Sequence, residues 1–135
     1  MTEVEIITQE QALTLTAQEF YNELVNRNRG ILTTQDQENI KQATILVAGV
    51  GSTGGATLDP LVRTGATKFI LAEPGNYELT NLNRQTTTLE FLGENKAQAQ
   101  TVHIQKINPH AEVEVHTSGV TPENFLELTA QASVI

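Results

Sequence analysis

Ile45-Leu-Val-Ala48 runs straight into Gly49-Val-Gly-Ser-Thr-Gly54, and that junction constrains the chain more than any other stretch. A short apolar run bounded by glycines reads as a buried parallel strand. The glycines fit G-x-G-x-x-G, a pattern that turns a strand tightly into a helix whose first N–H groups face a phosphate. Gly49, Gly51, Ser52 and Gly54 are therefore candidate nucleotide contacts. The pattern serves NAD, FAD and ATP alike, and glycines also cluster in ordinary loops, so the turn alone does not choose a ligand.

The flanking sequence supplies the rest of an α/β domain. Thr67–Ala72 reads as a second strand, closed by Glu73, and Glu112–His116 alternates like a half-exposed edge strand. Helices are expected over 53–64, 94–106 and 122–131. The second has Val102, Ile104 and Ile107 facing inward, and the third is capped by Thr121 with Pro122 at its first position. Pro60 falls inside the first of these and is expected to kink or break it. Pro74–Thr88 is a long loop, and long ordered loops in compact domains are often functional. Strands alternating with helices imply a Rossmann-like, doubly wound, mainly parallel sheet with helices on both faces. Ligands of such sheets sit beyond the carboxyl ends of the strands.

Upstream, Thr16-Ala-Gln-Glu19 matches a capping box and opens a helix over 17–26. A second cap at Thr33 or Thr34 opens another to about Lys41. Residues 1–15 carry little pattern, and Val4–Glu10 reads as a short strand or a frayed arm. The division expected is a helical arm over 1–42 and a Rossmann-like domain over 43–135. Ser133-Val-Ile135 looks like a further strand just beginning, so the expectation is a piece of a longer protein.

With 135 residues the chain is one domain at most, and it has no cysteine for a disulfide, a thiolate zinc site or a cysteine nucleophile. Sixteen acids against eight bases give a formal charge of −8. That balance argues against nucleic acid as the main partner, because phosphate backbones need clustered Lys and Arg. An acidic protein that binds a polyphosphate must gather its few cations at one place. No apolar run approaches the ~20 residues of a membrane span, so no membrane partner and a cytoplasmic location are expected. His103, His110 and His116 fit no usual metal-ligand spacing.

Glu73, at the end of the second strand, stands where an acid can accept hydrogen bonds from both ribose hydroxyls. The other reading is a polar residue where a strand meets solvent, and the glycine motif at the right distance favours the ribose role. Asn81-Leu-Asn-Arg-Gln85 follows in the long loop. Arg84 could hold a triphosphate through a charge-assisted fork, and Asn81 could orient it. Lys96 stands in a first helical turn, where it opposes the helix dipole, so propensity does not account for it.

Taken together, Gly49–Gly54, the acid at 73, Asn81–Gln85, Gly93-x-x-Lys96 and Ile107-Asn-Pro109 resemble the ThiF/MoeB/HesA group. This is the adenylating fold shared with ubiquitin-activating enzymes, and the resemblance spans about residues 25–135. It implies a domain that binds ATP and Mg2+ and transfers AMP to a carboxylate, typically the C-terminal glycine of a ubiquitin-like or sulfur-carrier protein, or a small carboxylate substrate. It implies that the glycines form the nucleotide loop and that Glu73 binds ribose. Asn81, Arg84 and Gln85 would contact the phosphates and neighbouring groups, and Lys96 would stabilise charge at the α-phosphate. Arg29, in Arg27-Asn-Arg-Gly30, matches an arginine that in this family reaches the partner's triphosphate in a homodimer.

Two departures stand beside the resemblance. Gly75 occupies the place of a second acid in the family's Asp-x-Asp, and the family's magnesium-holding Asp-x-x-Asp would fall just past Ile135. The 135-residue chain alone is accordingly expected to lack a complete active site. A non-catalytic scaffold of the same fold, binding nucleotide or partner, is the alternative. An NAD-dependent oxidoreductase would leave Asn81–Gln85 and Lys96 unexplained.

Overall fold

The computed structural model describes residues 6–135. Strands β1 (Thr44–Ala48), β2 (Lys68–Ala72) and β3 (Glu112–His116) pair in parallel in that spatial order. Helix α4 (Ser52–Thr64) joins β1 to β2, and α5 (Lys96–Ile107) precedes β3. Helix α6 (Phe125–Gln131) then returns the chain to Val134, which bridges Ile45 in parallel on the free side of β1. Successive strands thus step one way across the sheet, and the chain comes back to the other side of β1. A reversal of this kind opens a crevice at the carboxyl end of β1, where the glycine turn begins.

The strand residues divide by parity. Ile45, Phe69 and Leu71 pack with Val50, Leu58 and Val62 and with Ala97 and Ile104 of α5. Leu46, Ile70 and Ala72 face the other way, onto Leu128 of α6 and Ala132. Apolar residues at both parities are what a sheet covered on both faces requires, and the doubly wound reading holds. β1 is less enclosed than the sequence suggested. Ile45 and Leu46 are buried, but Val47 is half-buried and Ala48 exposed, on the side of the crevice.

Several elements differ from expectation. α4 is unbroken through Pro60. Pro60 and Ala56, whose carbonyl loses its helical donor, both lie on the exposed face, where water can serve instead. α5 buries Ala97, Gln100 and Ile104, with Ile107 against the core, whereas Val102 is 41% exposed. It starts at Lys96, with Asn95 as its cap. α6 starts at Phe125, after a turn in which Thr121 and Asn124 exchange side-chain-to-backbone bonds of 2.7 and 3.3 Å.

The N-terminal segment forms α1 (Gln9–Thr14), α2 (Ala17–Leu24) and α3 (Thr34–Gln42), each opened by a threonine capping box at Thr8, Thr16 and Thr33. The strand or frayed arm expected over Val4–Glu10 gives way to α1 from Gln9, while Val4 and Glu5 lie outside the described residues. This arm is bonded to the carboxyl end of α4. The buried Tyr21 hydroxyl donates to the Gly65 carbonyl at 3.1 Å, and the Gln37 amide donates to the Thr64 carbonyl at 2.9 Å. No helix of the described residues is long and apolar enough to cross a membrane.

Candidate functional site

The glycine turn leaves β1 at Gly49, whose φ of +93° is open to glycine and strained for other residues. Gly54 is glycine for a different reason. A Cβ there would overlap the carbonyl oxygen of Gly49 and come to 3.0 Å from Val47 Cγ1. The first turn of α4 lies that close to the end of β1. Gly51 caps α4 with no side-chain bond, in contrast to α1, α2, α3 and α5. The leading N–H groups of α4, starting at Ser52, therefore have no side-chain acceptor, and they carry the positive end of the helix dipole.

Glu73 closes the turn. Its Oε2 accepts the Val50 N–H at 2.7 Å and its Oε1 accepts the Gly75 N–H at 2.7 Å. One carboxylate thus ties the glycine turn to the start of the long loop. Gly49, Gly51, Gly54 and Glu73 line one cavity of about 1320 Å³, together with Thr53 and apolar residues of β1 and α4. Apart from the threonines Thr53, Thr57 and Thr64, the carboxylate and the free helix end are the polar groups of this lining able to orient a ligand.

Asn95, which sequence reasoning missed, joins this cluster to Lys96. Its Nδ2 donates to the carbonyls of Glu73 at 2.8 Å and Gly75 at 3.3 Å. Its Oδ1 accepts from Ala97 N and Gln98 N, capping α5. Asn is among the best N-caps, so that preference was the available signal. Lys96 N donates to the Gly75 carbonyl at 3.0 Å, and its ammonium lies 5.7 Å from the centre of the Tyr77 ring. Tyr77 is buried, and its hydroxyl accepts from Gln100 Nε2 at 2.8 Å.

The remaining candidates lie elsewhere. Asn81 is buried with its side-chain oxygen accepting the Glu78 N–H at 2.9 Å, which shapes the loop. Arg84 is exposed and donates to the Thr80 carbonyl and to Asn83 Oδ1. Gln85 is buried beside Thr87, Phe91 and Gln100, around a separate cavity. Arg29 is exposed on the arm, with Asn28 and Thr33, at the end of α4 away from the glycine turn. Within one chain the structure brings the glycines, Glu73 and Lys96 into a connected group, and leaves Arg29 apart. Among the described residues no group of three or more His, Cys, Asp or Glu could hold a metal ion.

The model of the ThiF family matches residues 25–135. Ubiquitin-like modifier-activating enzyme 5 of Drosophila willistoni is 35% identical over 102 residues, which cover 73% of this chain and 25% of the relative. The sulfur carrier protein adenylyltransferase of Thermus thermophilus is 36% identical over 95 residues, covering 70% and 35%. The chain thus spans about a quarter to a third of the length of these relatives. The tRNA N6-threonylcarbamoyladenosine dehydratase TcdA of E. coli, in complex with AMP, superposes with a TM-score of 0.76 at 23% identity, over 94% of this chain and 49% of its own. That likeness bears on the fold. With a family match over most of its length, the chain belongs to the ThiF family.

Proposed function

We propose that this chain is the nucleotide-binding part of an adenylyltransferase, which binds ATP and transfers AMP to a carboxylate with loss of pyrophosphate. The observation that carries this reading is the Glu73 carboxylate bridging Val50 N–H and Gly75 N–H beside the uncapped start of α4. A preorganised acid for ribose and a helix end for phosphate then stand on one cavity. Lys96 supplies positive charge to a transferring phosphoryl group, and nucleotidyl transfer asks little more of a protein than positioning and charge neutralisation. Arg84 and Asn81 would hold the triphosphate from the long loop, and Gln85 would support that loop.

Magnesium would arrive with the nucleotide. Glu73 is the acid lining the cavity, and both its oxygens already accept backbone N–H groups, so the described residues offer no dedicated cage. Mg2+ keeps several waters and leans on substrate phosphates, which suits so open a site. The acceptor would be the C terminus of a ubiquitin-like or sulfur-carrier protein, or a small carboxylate. Support for this comes from the relatives, a ubiquitin-like modifier-activating enzyme and a sulfur carrier protein adenylyltransferase, and from the structure of MccB of E. coli with AMPCPP and MccA. Exposed Arg29, remote from its own glycine turn, suits a homodimer in which it serves the neighbouring copy. A cytoplasmic location completes the reading.

ATP–pyrophosphate exchange by the full-length protein, offered a panel of carboxylate partners including ubiquitin-like C termini, tests the proposal. Exchange abolished by Arg84→Ala or Lys96→Ala supports it. The scaffold reading is favoured by one observation, that Asn81, Arg84, Gln85 and Lys96 do not line the glycine-turn cavity. ATP binding with no exchange under any partner would establish that reading instead, and tight NADH binding without ATP competition would sink both.

A further inference from the structure

Gly75 has no backbone reason to be glycine, because its φ is not among the positive ones. Its reason is space. A Cβ at 75 would stand 2.8 Å from Glu73 Oε1, with Lys96 Cε at 3.6 Å and Glu73 Cδ at 3.8 Å. The volume a side chain would take at 75 is filled by the carboxylate that bridges the two turns. The one close approach is to Glu73 Oε1, the end of a flexible side chain and so the group that yields, while Lys96 Cε and Glu73 Cδ are at ordinary contact distance. A Cβ at 75 therefore obliges the carboxylate to shift, and the shift strains its bonds to Gly75 N–H and Val50 N–H together.

We propose that Gly75 is a positioning residue that acts through Glu73, fixing the carboxylate across both N–H groups with its remaining lone pairs turned to the cavity. Resting on the nucleotide reading above, this makes position 75 a determinant of ribose recognition: the spanning carboxylate addresses a cis-diol, and a displaced one does not. Glu73 and Gly75 form one unit. The reach of glutamate brings its Oε1 into the place of the missing Cβ, and a shorter acid at 73 would vacate it.

A double-mutant cycle of Gly75→Ala with Glu73→Asp tests the coupling in the full chain, with two readouts. Hydrogen exchange at the Val50 amide reports the bridge without any ligand, and binding of ATP against 2′,3′-dideoxy-ATP reports the diol. In the native background Gly75→Ala should speed Val50 exchange and weaken ATP binding, each by about tenfold, the scale of one charged hydrogen bond. Binding of 2′,3′-dideoxy-ATP should change by less than about twofold, so discrimination collapses. On Glu73→Asp the same substitution should add little. Failure of Gly75→Ala to fold, with folding restored in the double variant, reports the same coupling. Unchanged Val50 exchange in Gly75→Ala, or an equal loss in both backgrounds, overturns the proposal. If the native chain binds neither nucleotide while Val50 exchange follows the cycle, the nucleotide reading falls and the Gly75–Glu73 coupling stands.

Discussion

The Glu73 carboxylate accepts the Val50 N–H at 2.7 Å, from the end of β2 to the middle of the glycine turn after β1. Val50 is fully buried, so its amide has no water to turn to if the acid is removed. Glu73→Ala should therefore cost about 2 kcal/mol of stability, within the range for an orphaned donor and a lost charged bond. Glu73→Gln, which keeps one acceptor oxygen, should cost about half of that. Urea denaturation of the three proteins gives the comparison, and equal midpoints would show that the bridge contributes nothing to the fold.

Gly54 and Gly49 meet backbone to backbone, with no room for a methyl group between them. Gly54→Ala should push α4 off the end of β1 and destabilise the chain by about 3 kcal/mol, the upper end of overpacking costs. It should also loosen the helix start that the phosphates would meet. A melting temperature close to that of the native chain would contradict the close approach.

Tyr21 fastens the N-terminal arm through its hydroxyl, which donates to the Gly65 carbonyl at 3.1 Å and accepts from Gln37 Nε2 at 3.0 Å. Tyr21→Phe keeps the ring and strands these partners, so a loss of about 1–2 kcal/mol is expected. Proteolysis within the arm should accelerate in the same variant, before the sheet itself is cut. Equal rates of arm cleavage would mean that the ring alone secures the arm.

What was legible in the sequence was local. The glycine turn, the parallel sheet and the odd lysine at position 96 each announce themselves within a few residues. The contacts that assemble the site were not legible, because they depend on where flexible side chains turn. Nothing in Glu73-Pro-Gly75 says that the acid bends back onto Gly75 N–H and forward onto Val50 N–H. Asn95 fell inside the helix expected over 94–106, yet it stands just before that helix, caps it, and holds two carbonyls of another segment. The inward face of α5 was misjudged at Val102 because hydrophobicity was weighed above helical phase. Ala97, Gln100 and Ile104 share one side, and small residues let α5 come close to α4. The family resemblance carried the roles of Arg84, Gln85 and Arg29, which remain proposals for this chain.

Burial pushes the Tyr77 phenol above its ordinary pKa of 10.0; the Gln100 hydrogen bond pulls the other way, and the Glu73 charge adds to the rise. The folded state therefore holds that proton more tightly than the unfolded chain does. The associated stability is fully present below the unfolded value and is lost as pH rises through the folded one. Stability should begin to fall above about pH 10, and Tyr77→Phe should flatten part of that fall. Unfolding free energies measured from pH 8 to 11 in both proteins check the sign, and parallel curves would exclude Tyr77 as the source.

Lys96 separates a functional residue from a structural one. As the first residue of α5 it opposes the helix dipole, a penalty of about 0.3–1 kcal/mol, and its ammonium near the Tyr77 ring returns a comparable amount. Lys96→Ala should accordingly leave stability within about 0.5 kcal/mol of native. If the ammonium meets charge developing on a phosphoryl group, the same substitution should slow ATP–pyrophosphate exchange by about 100-fold, as loss of one such donor does. The two measurements pull apart only for a residue kept for chemistry. A stability loss above about 1 kcal/mol with exchange unaltered would assign Lys96 to the packing over Tyr77 instead.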